Sequence, residues 1–562
     1  MTPQQKRWTL VAVVLGSSVV FLDTSVVNLA LPRIGQDMPS AHLGTLEAQS
    51  YLSSGYFVTL SALLILAGAI NDHFGRKRVF SIGLVAFAAT SLLCGIAPSM
   101  EILIASRILQ GAAGALLVPG SLAIITSSFQ GEEQGRAFGV WAGASAATTI
   151  LGPFVGGVLV NTISWRMAFF LNLPFLAIAY VATSRYVQES RDEESSSHFD
   201  WLGSLVIAVA VGGLCFGTIR GQQHGWGEPL ALISLGLGAA SAIAFPFMML
   251  HRKNPLVPPK LFRSRNFTVT NISTFVIYGA LYVTSAVLGI FLIGTLGYNE
   301  QAAGIAGVPG SLFLVALSTR FGRLAARFGP RLFMTVGPAV MALGLLWYAR
   351  IPAGSKGWVL GGGSGSILPP AGYFTDLLPG VLLFGFGLSI MVAPLTTALM
   401  TSVPAKNSGV ASAINNAISR VGSPLITAVI FVVLASSFYG AIQRAVPDAP
   451  VGSQQFREDV APLNRPAATV SPQIRGAAAQ ASVDAFHLAM MVAAGLLLAG
   501  AAVNGFGIRN PSAAGRRLGP AGEQPPPEPG SGSPVGPVKV AREEFAKGAA
   551  SGADRTGHAR DP

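Results

Sequence analysis

Residues 68–77 read GAINDHFGRK and residues 322–331 read GRLAARFGPR, and the two stretches align without a gap. Gly68, Phe74, Gly75 and Lys77 stand opposite Gly322, Phe328, Gly329 and Arg331. A short turn repeated at this distance marks a chain made of two related halves. The first copy carries an acid, Asp72, where the second has Ala326. Any task that needs the carboxylate therefore belongs to one copy alone.

Each turn follows an apolar run of the roughly 20 residues that a helix needs to cross a bilayer. Working outward, such runs fall near 9–31, 48–70, 79–98, 101–126, 137–160, 166–187, 201–219, 229–250, 268–294, 302–322, 332–350, 374–402, 407–438 and 483–507, fourteen in all. Eight spans separate the two turns, an even number, so both copies lie on one face of the membrane. This is a parallel repeat. It predicts an all-α polytopic membrane protein with an N-terminal six-helix half (1–187), a linker with two inserted helices (188–266) and a C-terminal six-helix half (267–509). Residues 440–482 read as a polar external loop. Residues 510–562, rich in Pro, Gly, Ala and Ser, read as a disordered cytoplasmic tail.

Composition agrees. Apolar residues make up 51% of the chain and charged residues 11%, against about 25% charged in soluble domains. The net charge of +12 does not form a basic stripe interleaved with aromatics, so nucleic acid is not an expected partner. Cys94 and Cys215 both lie in apolar runs, match no metal-ligand pattern and read as buried thiols. Lys6 and Arg7 precede the first run as in a signal peptide, but that run continues to Leu31 and no small-residue cleavage site follows, so it reads as an uncleaved first span.

The cations are distributed unevenly. With the N-terminus inside, the inner loops hold Arg76, Lys77, Arg78, Arg136, Arg185, Arg191, Arg252, Lys253, Lys260, Arg263, Arg265, Arg320, Arg323, Arg327, Arg331 and Lys406. The short outer loops hold Arg33, Arg166, Arg220, Arg350 and Lys356. The positive-inside rule then places both termini in the cytoplasm and the chain in the inner (plasma) membrane.

Polar residues at membrane depth are the candidate site. The first span contains LDTSVVNLALP (22–32), which sets an acid, Asp23, within an apolar helix. An intramembrane acid is functional by default, although a carboxylate near the outer interface also serves to bond a neighbouring helix. Arg107 opens RILQG (107–111) in the fourth span and needs a partner, either an acid such as Asp23 or backbone carbonyls. Gly139, Gly143, Gly152-Pro153 and Gly156-Gly157 in the fifth span allow close helix approach. Trp165-Arg166 reads as an anchor at the outer interface. Asn415, Asn416 and Arg420 in the thirteenth span either line a cavity or bond between helices. Tyr56, Phe57, Phe275 and Tyr278 are aromatic candidates for a cavity wall.

In these motifs, over residues 8–510, the chain resembles the major facilitator superfamily and, within it, the fourteen-span drug:proton antiporters that act as multidrug resistance exporters. Trp165-Arg166 with Phe169, Asn172 and Pro174 matches the same branch. The resemblance implies proton coupling at Asp23 and Arg107. It implies a cytoplasmic gate motif of Gly68, Asp72, Gly75, Arg76 and Lys77, with Asp72 docked on a helix start near Asn407 and Ser408 of the other half. Gly152, Pro153, Gly156 and Gly157 look like the motif that separates exporters from uptake relatives. Asn28, Tyr56, Gln110, Tyr278, Asn416 and Arg420 are the candidate substrate cavity.

The expected partners are a small lipophilic substrate, protons and the bilayer, handled by a monomer. The proton gradient is the energy source, with no cofactor and no metal. Relatives that export dications carry a second acid in the tenth span; here 302–322 has none, and Glu300 lies just before it. No nucleotide loop, metal constellation or nucleophile elbow points to an enzyme. A dedicated exporter of one metabolite, antibiotic or lipid is the alternative. The fifth-span glycines speak against an importer.

Overall fold

The computed structural model describes residues 1–38, 45–191, 199–360, 368–467 and 469–510, and among these there is no strand. The long helices are α1 (Pro3–Asp37), α2 (Thr45–Phe74), α3 (Arg76–Gly95), α4 (Met100–Ser128), α5 (Gly131–Thr162), α6 (Met167–Tyr186), α7 (Trp201–His224) and α8 (Pro229–His251). They continue with α9 (Arg265–Ile290), α10 (Val308–Phe328), α11 (Arg331–Tyr348), α12 (Leu378–Thr401), α13 (Ser408–Ala445) and α14 (Pro472–Gly507). Among the described residues, thirteen helices are long and apolar enough to cross a membrane. A further long helix, α5, occupies the fifth expected run. Helices prevail because hydrocarbon offers the backbone no hydrogen bonds, so each segment satisfies its own. The outward faces are apolar: on α8, Ile243, Phe247 and Leu250 are each more than 60% exposed, a surface suited to lipid.

Helices α1–α6 pack on one another, with α1 against α4, α5 and α6, and α4 against α2 and α3. Helices α9–α14 do likewise, with α9 against α13 and α14, and α12 against α10 and α11. Two seams join these groups, α2 with α13 and α5 with α10. The α7–α8 hairpin lies outside, with α7 against both α2 and α13.

Glycine makes both the repeated turn and the seams. Gly75 and Gly329, the matching residues of the two copies, have φ of +104° and +90°, a region open to glycine without strain. At the first seam a Cβ on Gly68 would stand 2.5 Å from the Gly409 carbonyl oxygen, and at the second a Cβ on Gly135 would stand 2.5 Å from that of Gly322. A methyl group at either place would hold the seam open.

Several boundaries differ from expectation. The tenth run, expected at 302–322, is broken: a short helix Glu300–Ala306 ends at Gly307 and α10 runs on to Phe328. Pro309 has no N–H to give to a helix interior and is placed in the first turn of α10. The external loop expected over 440–482 shrinks to 446–471, because α13 continues to Ala445 and α14 begins at Pro472. Ile442, Ala478 and Ala481 are buried there, so one packed face extends the helices beyond the apolar run. The tail expected over 510–562 lies outside the described residues, Asn510 excepted, as do Asp192, Glu193 and Glu194.

Candidate functional site

Five helices meet at one buried carboxylate. Asp23 of α1 is fully buried and accepts three hydrogen bonds. Arg107 Nη1 donates at 2.6 Å, Gln110 Nε2 at 3.0 Å and Asn172 Nδ2 of α6 at 2.8 Å. Arg107 and Gln110, three residues apart on α4, share a helix face and are themselves joined at 2.7 Å. Ser91 of α3 accepts from Gln110 at 2.8 Å and Asn172 at 3.1 Å. Cys94 Sγ donates to Gln110 Oε1 at 3.6 Å. The Arg107 guanidinium lies over the Tyr56 ring of α2, 4.1 Å from its centre. A buried ion pair of this kind is held by geometry, and removing one partner costs about 3–5 kcal/mol because the other charge is left stranded.

The network is nearly, but not wholly, satisfied. Arg107 Nε and Asn172 Oδ1 are buried without a partner. Arg107 therefore keeps one donor uncommitted beside the Asp23 pair.

A cavity of about 470 Å³ opens beside the pair, lined by Thr24, Asn28, Ser53, Tyr56, Phe57 and Arg107 among others. Asp23 does not line it; Arg107 and Tyr56 stand between. Of the expected cavity residues, Asn28 and Tyr56 are in its wall. Gln110 is not: it is fully buried in the carboxylate network. Tyr278 packs against the apolar core of α9–α14. Asn416 donates to the Ser412 carbonyl of its own helix at 2.9 Å, and the Arg420 guanidinium lies 5.2 Å from the centre of the Phe57 ring, reaching from α13 to α2. Asn415 bonds between helices, to Asn271 at 3.1 Å and Thr274 at 2.8 Å.

Of the fifth-span glycines, Gly139 and Gly143 face α10 at the second seam, whereas Gly152 and Gly156 face α1 near Asp23. A Cβ on Gly156 would meet Val26 of α1 at 2.6 Å, and one on Gly152 would strike Ser25, so α5 is held against α1 two or three residues from Asp23. Pro153 and Gly157 lie on the same turns of α5, with their side-chain surroundings outside the described part of the structure.

Trp165 departs from its expected place. It is 1% exposed, inside the fold rather than at a lipid-facing interface, and its indole N–H has no partner. Arg166 stacks on it at 4.3 Å and donates to the Ala97 carbonyl at 3.2 Å. Packing under α3 outweighs the interfacial preference. Asn172 and Ser91 have a larger part than their sequence reading gave them. The signal for Asn172 was an amide within an apolar stretch, whereas Ser91 carries no signal at all.

A second buried pair sits at the first seam. Asp72 Oδ1 accepts from Gly409 N at 3.1 Å and its Oδ2 from Val410 N at 2.9 Å, the first turn of α13. Those amides have no partner within their own helix, and the positive helix end favours a carboxylate. Arg76, one turn from Asp72, donates to it at 2.9 Å and also to the Ala405 carbonyl. Arg76, expected with Lys77 in the cytoplasmic gate motif, is only 3% exposed, because a buried acid needs a counter-charge. Lys77 donates to the Ser184 carbonyl at 2.9 Å. Its backbone N–H, with that of Arg78, is capped by Glu189 at 3.0 Å. In the second copy Ala326 stands near Gly135, and close backbone approach at Gly135 and Gly322 draws that seam together.

Bilayer-crossing helices, a buried acid–base network and a polar cavity beside it define a membrane transport protein. The chain belongs to the major facilitator superfamily, whose family model matches residues 13–427, and whose members move small molecules rather than catalyse reactions. It is similar to the multidrug resistance protein Stp of Mycobacterium tuberculosis, 32% identical with 82% of each chain covered. The tetracenomycin C resistance and export protein of Streptomyces glaucescens is 31% identical, with 76% of each chain covered. Among solved structures, a human organic anion transporter aligns with a TM-score of 0.56 at 14% identity, covering 90% of this chain and all of that one. A proton:xylose symporter aligns with a TM-score of 0.51 at 14% identity, covering 88% and 95%. Among the described residues no cluster of His, Cys, Asp and Glu fits a metal ion.

Proposed function

We propose that this chain is a proton-coupled exporter of lipophilic small molecules, working as a monomer with no bound cofactor. Its helices form two six-helix halves around an inserted pair, α7 and α8, fourteen spans with both termini in the cytoplasm. The observation that carries the reading is the buried Asp23–Arg107 pair, whose Arg107 is in the wall of a cavity and whose Asp23 lies one side chain behind it. Protonation of Asp23 neutralises it and deprives Arg107 of its counter-ion. Arg107 then turns to other acceptors in the cavity wall or on the substrate. Loss of the proton restores the pair and dismisses them. One charge thus serves either the acid or the cargo.

The Asp72 contact across α2 and α13 closes the face richest in cations. With that face cytoplasmic, the present conformation is open outward, poised to take up a proton. The glycine contacts of α5 support the export direction, as do relatives named for resistance and export. A dedicated exporter of one antibiotic is the second reading, favoured by the tetracenomycin relative and by the hydroxyl- and amide-lined cavity.

The test uses proteoliposomes with an imposed proton gradient and a panel of lipophilic and antibiotic compounds. Asp23→Asn should abolish gradient-driven transport while counterflow exchange persists. Gradient-driven transport that survives Asp23→Asn intact sinks the assignment. Transport of one compound class alone selects the dedicated exporter.

A further inference from the structure

A second cavity, of about 560 Å³, lies where the α7–α8 hairpin meets α13. Val211 and Leu214 of α7, Phe245 of α8, and Ile414 and Val421 of α13 form its walls, and Ile65 of α2 is also in contact with it. The lining is hydrocarbon almost throughout. Water needs two or more polar partners to stay in such a place, and this one offers few. Its mouth faces the bilayer: Leu250 and Phe262 line it while remaining 67% and 46% exposed.

The rim of the cavity is basic. Val257, Pro259 and Phe262, in the segment between α8 and α9, line the cavity, and the turn Pro259–Arg263 is pinned by the buried Leu261. Four cations lie in this segment and a fifth, Arg265, opens α9. Arg252 is paired with Asp200 at 3.2 Å, and Arg265 donates to the carbonyls of Gly507 at 2.7 Å and Phe506 at 2.8 Å. Lys253, Lys260 and Arg263 are exposed and make no ion pair or side-chain hydrogen bond among the described residues. Three uncommitted cations thus stand beside the lateral mouth of an apolar cleft.

We propose that this cleft holds one acyl chain of an anionic phospholipid from the cytoplasmic leaflet, with the phosphate held by Lys253, Lys260 and Arg263. A soluble anion has no use for the apolar wall, and a zwitterionic lipid gains less from the cations. Anionic lipids are the membrane components that answer both features, since juxtamembrane basic clusters attract them. The site depends on the bilayer placement and orientation of the fold, and not on the direction of transport or on Asp23. The cleft touches α2 and α13, so its occupant bridges the seam that Asp72 fastens.

The full-length chain is reconstituted in nanodiscs of phosphatidylcholine with phosphatidylglycerol and released for native mass spectrometry. The wild type should retain one phosphatidylglycerol in preference to phosphatidylcholine of the same chain length. The triple variant Lys253→Gln/Lys260→Gln/Arg263→Gln, altered only at exposed side chains, should bind it on the order of a hundredfold more weakly. Ala242→Phe, which fills the cleft from the half-exposed side of α8, should lose the lipid; should it fail to fold, Phe262→Ser at the exposed mouth takes its place. Equal retention by the triple variant, no preference for phosphatidylglycerol, or displacement by glycerol phosphate alone would each overturn the proposal. None of these readouts involves transport, so failure of the lipid site and failure of the efflux reading are told apart.

Discussion

Asp72→Asn should unfasten the seam between α2 and α13 by an amount that follows from its bonds. The carboxylate accepts from Gly409 N and Val410 N across the seam, and from Arg76 at the start of α3 on its own side. Asparagine keeps one acceptor oxygen, so one cross-seam bond is lost and the other becomes neutral. Hydrogen bonds to a charged group contribute about 1.5–3 kcal/mol and neutral ones about 0.5–1.5. Two charged bonds reduced to one neutral bond cost about 3 kcal/mol. The helix end also loses a favourable anion. The pair with Arg76, the first residue of α3, joins two residues on the same side of the seam and is lost from open and closed states alike, so it cancels. The closed-to-open ratio should therefore fall on the order of a hundredfold, at a factor of ten for each 1.4 kcal/mol.

Spin labels at Arg136→Cys on α5 and Arg323→Cys on α10 flank the other seam, and both positions are exposed. With Cys94 and Cys215 replaced by alanine, the wild type should give one short inter-label distance and the Asp72→Asn variant a second, longer one. An unchanged distance distribution in the variant would refute the reasoning, because it would mean that the carboxylate is replaceable at the helix end.

Asn172→Ala removes one of three donors to Asp23 without touching the Arg107 pair. Gradient-driven turnover should fall about tenfold, the worth of one hydrogen bond to a charged group, with substrate affinity changed little; unchanged turnover would show Asn172 to be packing only. Trp165→Phe deletes an indole N–H that is already unpartnered. Thermal unfolding in detergent should shift by less than the equivalent of about 1 kcal/mol, well below the about 3–5 typical of losing a buried Trp to Ala. A large loss would reveal a bond from that N–H.

The pairing of Asp23 with Arg107 was legible because hydrocarbon forbids solitary charges, so an acid and a base in separate spans imply each other. The repeated turn was legible too, since only glycine adopts its backbone readily. Other features were not. Gln110 reads as a cavity residue when taken alone, and only the meeting of α1, α3, α4 and α6 turns it inward to Asp23 and Ser91. Arg76 reads as a member of the gate motif in a basic loop, but nothing local says that it will be buried against the Ala405 carbonyl of the other half. The break at Gly307 follows from Pro309 combined with packing against α5 and α12, and the second half of that condition is absent from the sequence.

How the two buried pairs communicate follows from the one helix they share. Tyr56, stacked on Arg107, and Asp72, fastened to α13, are both on α2. Sixteen residues of helix separate them, about 24 Å at 1.5 Å per residue. Near one end, α4 lies so close that a Cβ on Gly111 would stand 2.5 Å from the Tyr56 carbonyl oxygen. Near the other, Asn71 Nδ2 donates to the Leu116 carbonyl of α4 at 3.3 Å. Helices held at both points have little freedom to slide past each other. A change of charge at Asp23 that moves Arg107 on α4 is therefore not absorbed where it occurs. On the proposed coupling it would tilt α2 and α4 together and load the bonds from Gly409 and Val410, which are few and directional. On the proton-coupled reading proposed above, close packing is what would let a single proton act at a distance: a looser bundle would bind the proton equally well and leave the seam shut.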